Sequence, residues 1–209
     1  HLGTLQRMLR EAEERKMTSF LRHNFSGVSM RAARDILGKS ELEESRQPRR
    51  IKAEEAQRVL DCFQKVKLLN PPTDCLSPIE DLLIKKGLSK AIDSRFASTV
   101  TREPRVSQGN PFQIEVGLVF GGDMAADGPI EILRFANRVP LMYQQGGCLL
   151  TKAIEAVDWK RYGLDQPGGK GIPKGPAAVL VHLASTNVQF TSEAKEAVAT
   201  NEEVLEEIR

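Results

Sequence analysis

Aromatic residues are scarce in this 209-residue chain: they make up 5%, with one Trp and two Tyr. Cysteine is scarcer still. The three cysteines, Cys62, Cys75 and Cys148, show no pair at metal-ligand spacing, and an odd number does not suggest a disulfide framework. The expectation is reduced thiols in an intracellular protein. No apolar run approaches the roughly 20 residues that would span a bilayer, so no membrane role is expected. No signal peptide opens the chain. The first residue is His1 rather than Met, and Arg209 ends the chain inside a charged helical run. Both ends read as those of a piece cut from a larger protein. Neither a Ser/His/Asp order nor a nucleophilic tyrosine in a recognisable context suggests an active site. The histidines His23 and His182 stand apart from each other and from any cysteine. His182 lies in an apolar run and reads as a buried, hydrogen-bonded residue.

What is present is ordinary in amount and uneven in distribution. Apolar residues make up 40% and charged residues 28%, a soluble globular composition. The net charge is +2. Residues 1–70 hold 15 Lys and Arg against 10 Asp and Glu, while the rest hold 15 against 18. A polyanion would favour the first part, although the excess is modest.

Those first residues read as all-helical. Leu5, Met8 and Leu9 recur at helical spacing. A second helix carries Phe20, Leu21 and Phe25. Ser29 caps a third helix with Ala32, Ala33, Ile36 and Leu37 on one face, which Gly38 ends. A polar loop from Lys39 to Arg50 precedes a fourth helix, about Ala53 to Leu68. Arg46, Arg49, Arg50 and Lys52 cluster around Pro48. They are either a DNA-contact loop or a solvated loop balancing Glu41, Glu43 and Glu44. Asn70-Pro71-Pro72-Thr73-Asp74 is a linker, because Pro-Pro ends a helix and extends the backbone. The expected domains are 1–72 and 73–209.

The second half reads as α/β, with a mixed sheet and helices on one face. A short helix with Leu82, Leu83 and Ile84 ends at Gly87. Another short helix is expected near Ser89–Phe96. Phe112 to Phe120 alternates as a strand, Gly121-Gly122 is a hairpin turn, and Ile130 to Arg138 is a second strand. Cys148 to Val157 is a helix. Ala177 to Leu183 is a central strand, with Val188 to Phe190 at its edge. Ser192 to Ala199 is a short helix, and Asn201 caps the last one. The run Gly168-Gly169-Lys170-Gly171 fails as a phosphate loop: Leu164 and Gly171 stand where a Gly and a Ser/Thr are needed.

One stretch holds the only Trp and one of the two Tyr: Asp158-Trp159-Lys160-Arg161-Tyr162-Gly163-Leu164-Asp165-Gln166. Cations between rings suit a nucleic-acid backbone. They equally suit a core tryptophan beside two solvated side chains.

Two resemblances bear on that choice. Phe25-Ser26-Gly27-Val28, the Ala32–Leu37 helix and the Glu54–Leu60 helix resemble the helix–two-turns–helix module of a small-subunit ribosomal protein and some DNA glycosylases. From Asp74 onward the chain resembles the transducer domain of the B subunit of type IIB DNA topoisomerase, topoisomerase VI. The motifs are Asp74-Cys75-Leu76-Ser77-Pro78-Ile79, Pro111-Phe112-Gln113-Ile114-Glu115-Val116-Gly117, the run from Leu133 to Gly146, Trp159-Lys160-Arg161-Tyr162-Gly163-Leu164, and Val181-His182-Leu183-Ala184-Ser185-Thr186. That family sets a helix–two-turns–helix module before its transducer.

The resemblance implies a multidomain α+β chain. An all-α bundle would precede a ribosomal-protein-like α/β sandwich with a left-handed crossover, and the start of a stalk helix would follow. It implies a part of an ATP-hydrolysing enzyme that lacks the ATPase domain and is inactive alone. ATP and Mg2+ would serve the intact subunit, and none would be bound to this part. Lys195 matches the switch lysine that reaches the terminal phosphate; the plain alternative is a surface lysine near Glu193 and Glu196. Lys160 and Arg161 match a stretch that senses DNA. The implied partners are double-stranded DNA, the DNA-cleaving A subunit through the stalk, and a second B subunit. The location would be cytoplasmic and nucleoid-associated in an archaeon, nuclear in a eukaryote. The alternative is a non-enzymatic nucleic-acid-binding scaffold.

Overall fold

The computed structural model describes residues 1–63 and 65–209. Two compact units divide the chain, His1–Pro71 and Pro72–Arg209.

The first unit is helical: α1 Leu2–Glu11, α2 Met17–Asn24, α3 Met30–Lys39 and α4 Ala53–Phe63. Its core gathers the apolar stripes of all four, including Leu5, Leu9, Phe20, Leu21, Ile36, Leu37 and Val59. Burying such stripes is what stabilises helices this short, which are marginal alone. Ser29 caps α3, its hydroxyl accepting from Ala32 N at 3.1 Å. The turn before it depends on Gly27. Its φ is +75°, and a Cβ there would overlap the Leu69 carbonyl. Leu69 N donates to Gly27 O at 2.9 Å, tying the segment after α4 to that turn. α3 runs one residue past Gly38, and Ser40 closes it by donating its hydroxyl to Ile36 O at 2.8 Å. The expected helix Ala53–Leu68 is formed only to Phe63. Gln64 lies outside the described residues, and 65–68 are turn, bend and chain without regular structure.

The second unit is mixed α and β around one sheet. Its elements are α5 Asp81–Ala91, β1 Phe96–Thr101, β2 Arg105–Ser107, β3 Asn110–Phe120, β4 Glu131–Ala136, β5 Val139–Pro140, α6 Leu149–Glu155, β6 Ala177–Ser185 and α7 Glu202–Ile208. The strand order is β1-β3-β6-β4-β5, with β2 also on β3. β6 lies in the middle, antiparallel to β3 and parallel to β4, and all nine of its residues are buried.

Alternation along β3 and β6 gives the sheet two apolar faces. Ile114, Val116, Leu118, Val179, Val181 and Leu183 join the large cluster under α6, Trp159 and α7. Val119, Ala178 and Leu180 pack with Ile84 and Leu88 of α5 on the other face. Helices therefore cover both faces rather than one. Gly117 makes the α5 packing possible, because a Cβ there would come within 2.7 Å of both Ile84 and Leu88.

Other local expectations fail for identifiable reasons. α5 continues through Gly87 to Ala91, and no second helix forms before β1. Ile84 and Leu88 bracket Gly87 and bury together, and that packing outweighs the propensity cost of roughly 1 kcal/mol. Gly121-Gly122 is not a hairpin turn, since β6 separates β3 from β4. Ser192–Ala199 is not helical: Phe190 bridges Val198, and Thr191 N donates to Ala197 O at 2.9 Å. Val188–Phe190 consequently stays outside the sheet.

Candidate functional site

The Trp159–Tyr162 segment is a single 3₁₀ turn, closed by Gly163 in the left-handed region. Its base is fixed by buried polar contacts. The Trp159 indole N–H donates to Ile154 O at 2.7 Å, and Trp159 N donates to Gln166 Oε1 at 3.2 Å. Gln166 is fully buried. Its amide nitrogen donates to Glu155 O at 3.2 Å and to Gly171 O at 2.8 Å. One glutamine thus joins the end of α6, the turn and the glycine-rich run, and leaves none of these buried groups unpaired.

From this base the next three side chains point outward. Lys160 and Arg161 are exposed, and Tyr162 is 71% exposed. Arg161 Nε lies 2.8 Å from Asp158 Oδ2, which holds it across the turn without covering it. The Trp159 and Tyr162 rings meet edge to face with centroids 6.4 Å apart. Trp159 is therefore a core residue and Tyr162 a surface one.

Below the turn, an apolar cavity of about 390 Å3 separates it from the sheet. Its walls include Val116, Leu118, Val179, Trp159, Tyr162 and Ile208. The turn and the end of α7 share this cavity. α7 is held to the sheet from two sides. Asn201 caps it through Val204 N at 3.1 Å and donates to Ser107 Oγ at 3.0 Å. Near its other end the buried Glu207 meets Arg102 Nε at 2.8 Å and Arg105 Nε at 2.7 Å.

The basic loop of the helical unit splits into two pairs. Arg46 Nη2 lies 3.2 Å from Glu55 Oε1, and Arg49 Nε donates to Ala12 O at 2.8 Å. These two side chains hold the loop onto its own unit. Arg50 and Lys52 are exposed, and no side-chain ion pair engages either one among the described residues. Among the described residues none of Glu41, Glu43 and Glu44 forms an ion pair with the loop cations, and Glu44 pairs with Arg34 at 3.2 Å instead.

Lys195 sits at the tip of an exposed turn with φ +56°. Among the described residues no ion pair joins it to Glu193 or Glu196. A lone exposed ammonium fits an anion such as a terminal phosphate. No group of three His, Cys, Asp or Glu side chains that could hold a metal ion occurs among the described residues.

Sequence reasoning missed a polar group that gathers four hydrogen-bond partners. Glu115 of β3 is fully buried. Its carboxylate accepts from Ile79 N at 2.6 Å, Glu80 N at 2.7 Å and Thr101 Oγ1 at 2.8 Å, and it meets His182 Nδ1 at 2.6 Å. His182 Nε2 accepts from Arg138 N at 2.9 Å. A ring that accepts at Nε2 carries its proton on Nδ1 and donates it to the carboxylate, so this is a neutral histidine beside an anion. Burial pushes the Glu115 carboxyl up, but the bonds from His182, Ile79, Thr101 and Glu80 outweigh it, and the net shift is downward. Burial lowers His182 more than Glu115 raises it, with a further push down from Arg138. The network joins the approach to α5, β1, β3, β6 and the turn after β4. The available signal was a charged residue at the centre of an apolar strand and a histidine within an apolar run.

The family model described as "Topoisomerase VI B subunit, transducer" matches residues 71–209. Curated relatives include the B subunit of type 2 DNA topoisomerase 6 from Methanococcoides burtonii, 50% identical over 99% of this chain and 33% of its own length. The corresponding protein of Archaeoglobus fulgidus is 43% identical over 100% of this chain and 34% of its own. The chain thus spans about a third of the length of these relatives. Among solved structures, the B subunit of DNA gyrase from Myxococcus xanthus aligns over 61% of this chain and 40% of its own, at 18% identity and a TM-score of 0.34. That likeness carries no argument.

Proposed function

The chain belongs to the topoisomerase VI B subunit family, as a match to its transducer, and on that premise we propose that it relays ATP binding and hydrolysis to DNA strand passage in a type IIB DNA topoisomerase. The observation that carries this reading is the Trp159 turn. Its buried base and outward cations form a rigid mount for phosphate contacts, and it shares a cavity with the end of α7. In this reading Lys160 and Arg161 contact the DNA backbone, while Trp159 and Gln166 hold them in position. The last helix, α7, begins the stalk toward the DNA-cleaving A subunit. A displacement of that helix is felt at the turn through their common wall.

The remaining roles follow the same logic. ATP with Mg2+ supplies a hydrolysable terminal phosphate when bound in the whole subunit. Lys195, on its exposed turn, is the residue of this chain that would reach that phosphate. Such a contact would last only while the phosphate is present, and its loss would free the second unit to move. The helical unit is read as a helix–two-turns–helix module. Of its basic loop, Arg50 and Lys52 are the better DNA contacts, because Arg46 and Arg49 hold the loop in place. In this reading the connection between the parallel strands β4 and β6 is the left-handed crossover. In this reading the setting is cytoplasmic and nucleoid-associated, in keeping with relatives from archaea, and a second B subunit is a partner.

The experiment is Lys195→Ala in a chain as long as the relatives, assembled with the A subunit. ATP turnover and strand passage should both fall while duplex binding is unchanged. Wild-type rates in both assays would remove the switch role.

A further inference from the structure

β4 is paired along one side only. Toward β6 it is bonded from Glu131 to Ala136, but on its other side only Phe135 and Ala136 meet β5. Leu141 N adds one bond to Arg134 O at 2.8 Å. Upstream of Arg134, among the described residues, no strand lies beside that edge, and just before β4 Ile130 N donates to Pro173 O at 3.0 Å. A cavity of about 430 Å3 runs along it, between Glu131–Phe135 and a wall that includes Leu141, Met142 and Gln145.

Arg134, which lines this cavity, is 3% exposed. Its Nη2 donates to Leu141 O and Tyr143 O, each at 2.9 Å. Its Nε and Nη1 are buried and have no partner, and no carboxylate pairs with the guanidinium among the described residues. Arginine stays charged, so the cation cannot escape the cost of burial by losing its proton. At the rim, Met142 of the lining is 74% exposed, and the nearby chain positions Val139 and Tyr143 are 60% and 68% exposed. Three such residues within five positions are more than scattered surface hydrophobics.

We propose that this groove is a docking site for an extended polypeptide segment that adds to the open edge of β4 and brings an Asp or Glu carboxylate, flanked by apolar side chains, to Arg134. Each part of the surface meets one part of that occupant. The open edge supplies backbone hydrogen bonds, the exposed rim takes apolar side chains, and the unpaired guanidinium takes the acid. Arg134 is the one cation of a lining that also holds Glu131 and Gln145, which suits a lone carboxylate better than a polyphosphate backbone that draws on several cations. The inference does not depend on the relay reading.

The test uses the 15N-labelled chain and two blocked peptides, acetyl-Thr-Val-Glu-Val-Thr-amide and its Gln twin, with sodium acetate and inorganic phosphate as free anions at constant ionic strength. The Arg134 Nε–H signal is assigned by its disappearance in Arg134→Lys. The acidic peptide should shift that signal and the amides of Ile132 and Leu133 with one midpoint, at least about tenfold below that of the Gln twin. Arg134→Gln should abolish the difference between the peptides. If Arg134→Gln does not fold, Arg134→Lys should narrow the difference without removing it. Equal affinity of the two peptides would overturn the carboxylate assignment. A shift produced equally by acetate or phosphate, with Ile132 and Leu133 unmoved, would reduce the site to a free-anion pocket and overturn docking. No saturable shift with any probe would overturn the whole proposal.

Discussion

Replacing Glu115 by Gln keeps the side chain's size and removes its charge. In the native site four donors converge on the carboxylate: Ile79 N, Glu80 N, Thr101 Oγ1 and His182 Nδ1. A glutamine has one acceptor oxygen, and its amide nitrogen would face donors it cannot accept from. The Thr101 hydroxyl can rotate to accept, but the two backbone N–H groups cannot. At least one buried donor is left unmatched, costing about 1–3 kcal/mol, and the remaining bonds lose the charge that strengthened them. Because His182 is neutral, no buried cation is left behind, and a loss of about 1–3 kcal/mol is expected for Glu115→Gln. Trp159, the only tryptophan, lies in the same unit, so its fluorescence during urea unfolding reports that unit alone. A loss below about 1 kcal/mol, within the range of ordinary surface substitutions and small cap effects, would refute the argument that this carboxylate fastens the approach to α5 onto the sheet.

Three further outcomes follow from the same contacts. Stability of the second unit should fall on acidification, from both partners. Glu115 is shifted down, so its contribution is complete above the ordinary carboxylate pKa of about 4.3 and disappears as pH drops through its lowered folded value. His182 is also shifted down, so the unfolded chain takes up its proton first, and stability starts to decline below about 6.5; urea midpoints that do not change between neutral and mildly acidic pH would contradict this. Glu207→Gln should loosen α7 by about 1–2 kcal/mol, discounted because Arg102 and Arg105 are half exposed, and hydrogen exchange should accelerate in Glu202–Ile208 while β6 stays protected. Trp159→Phe should lose the bond to Ile154 O and lower stability by about 1–2 kcal/mol, with exchange of the Lys160 and Arg161 amides rising more than that of α6.

The parts of this molecule that were legible in its sequence are those fixed by short-range pattern. β6 was visible because nine consecutive residues are buried on both faces, and α3 because Ser29 and the Ala32–Leu37 stripe lie within one helix. The place of Trp159 in the core was legible, but its anchor was not: Gln166 is polar, and only the fold shows it buried under the turn. Glu115 and His182 are 67 positions apart, and nothing local to either names the other. The same holds for Arg134, whose partners are carbonyls of a segment that doubles back on β4. Local pattern misled where tertiary pairing won. Ser192–Ala199 had helical spacing, but the Phe190–Val198 bridge closes it into a loop with Lys195 at its tip. Gly87 looked like a stop until α5 had a sheet face to pack on.

The central claim is that the Trp159 turn presents Lys160 and Arg161 to duplex DNA. It is tested most directly by the salt dependence of binding, comparing this chain with its Lys160→Glu/Arg161→Glu form on one duplex. Each phosphate contact contributes about −0.9 to the slope of log K against log salt, so the double variant should bind more weakly and its slope should flatten by about 2. An equal slope for the two proteins, with both folded, would mean that the turn does not meet the phosphates.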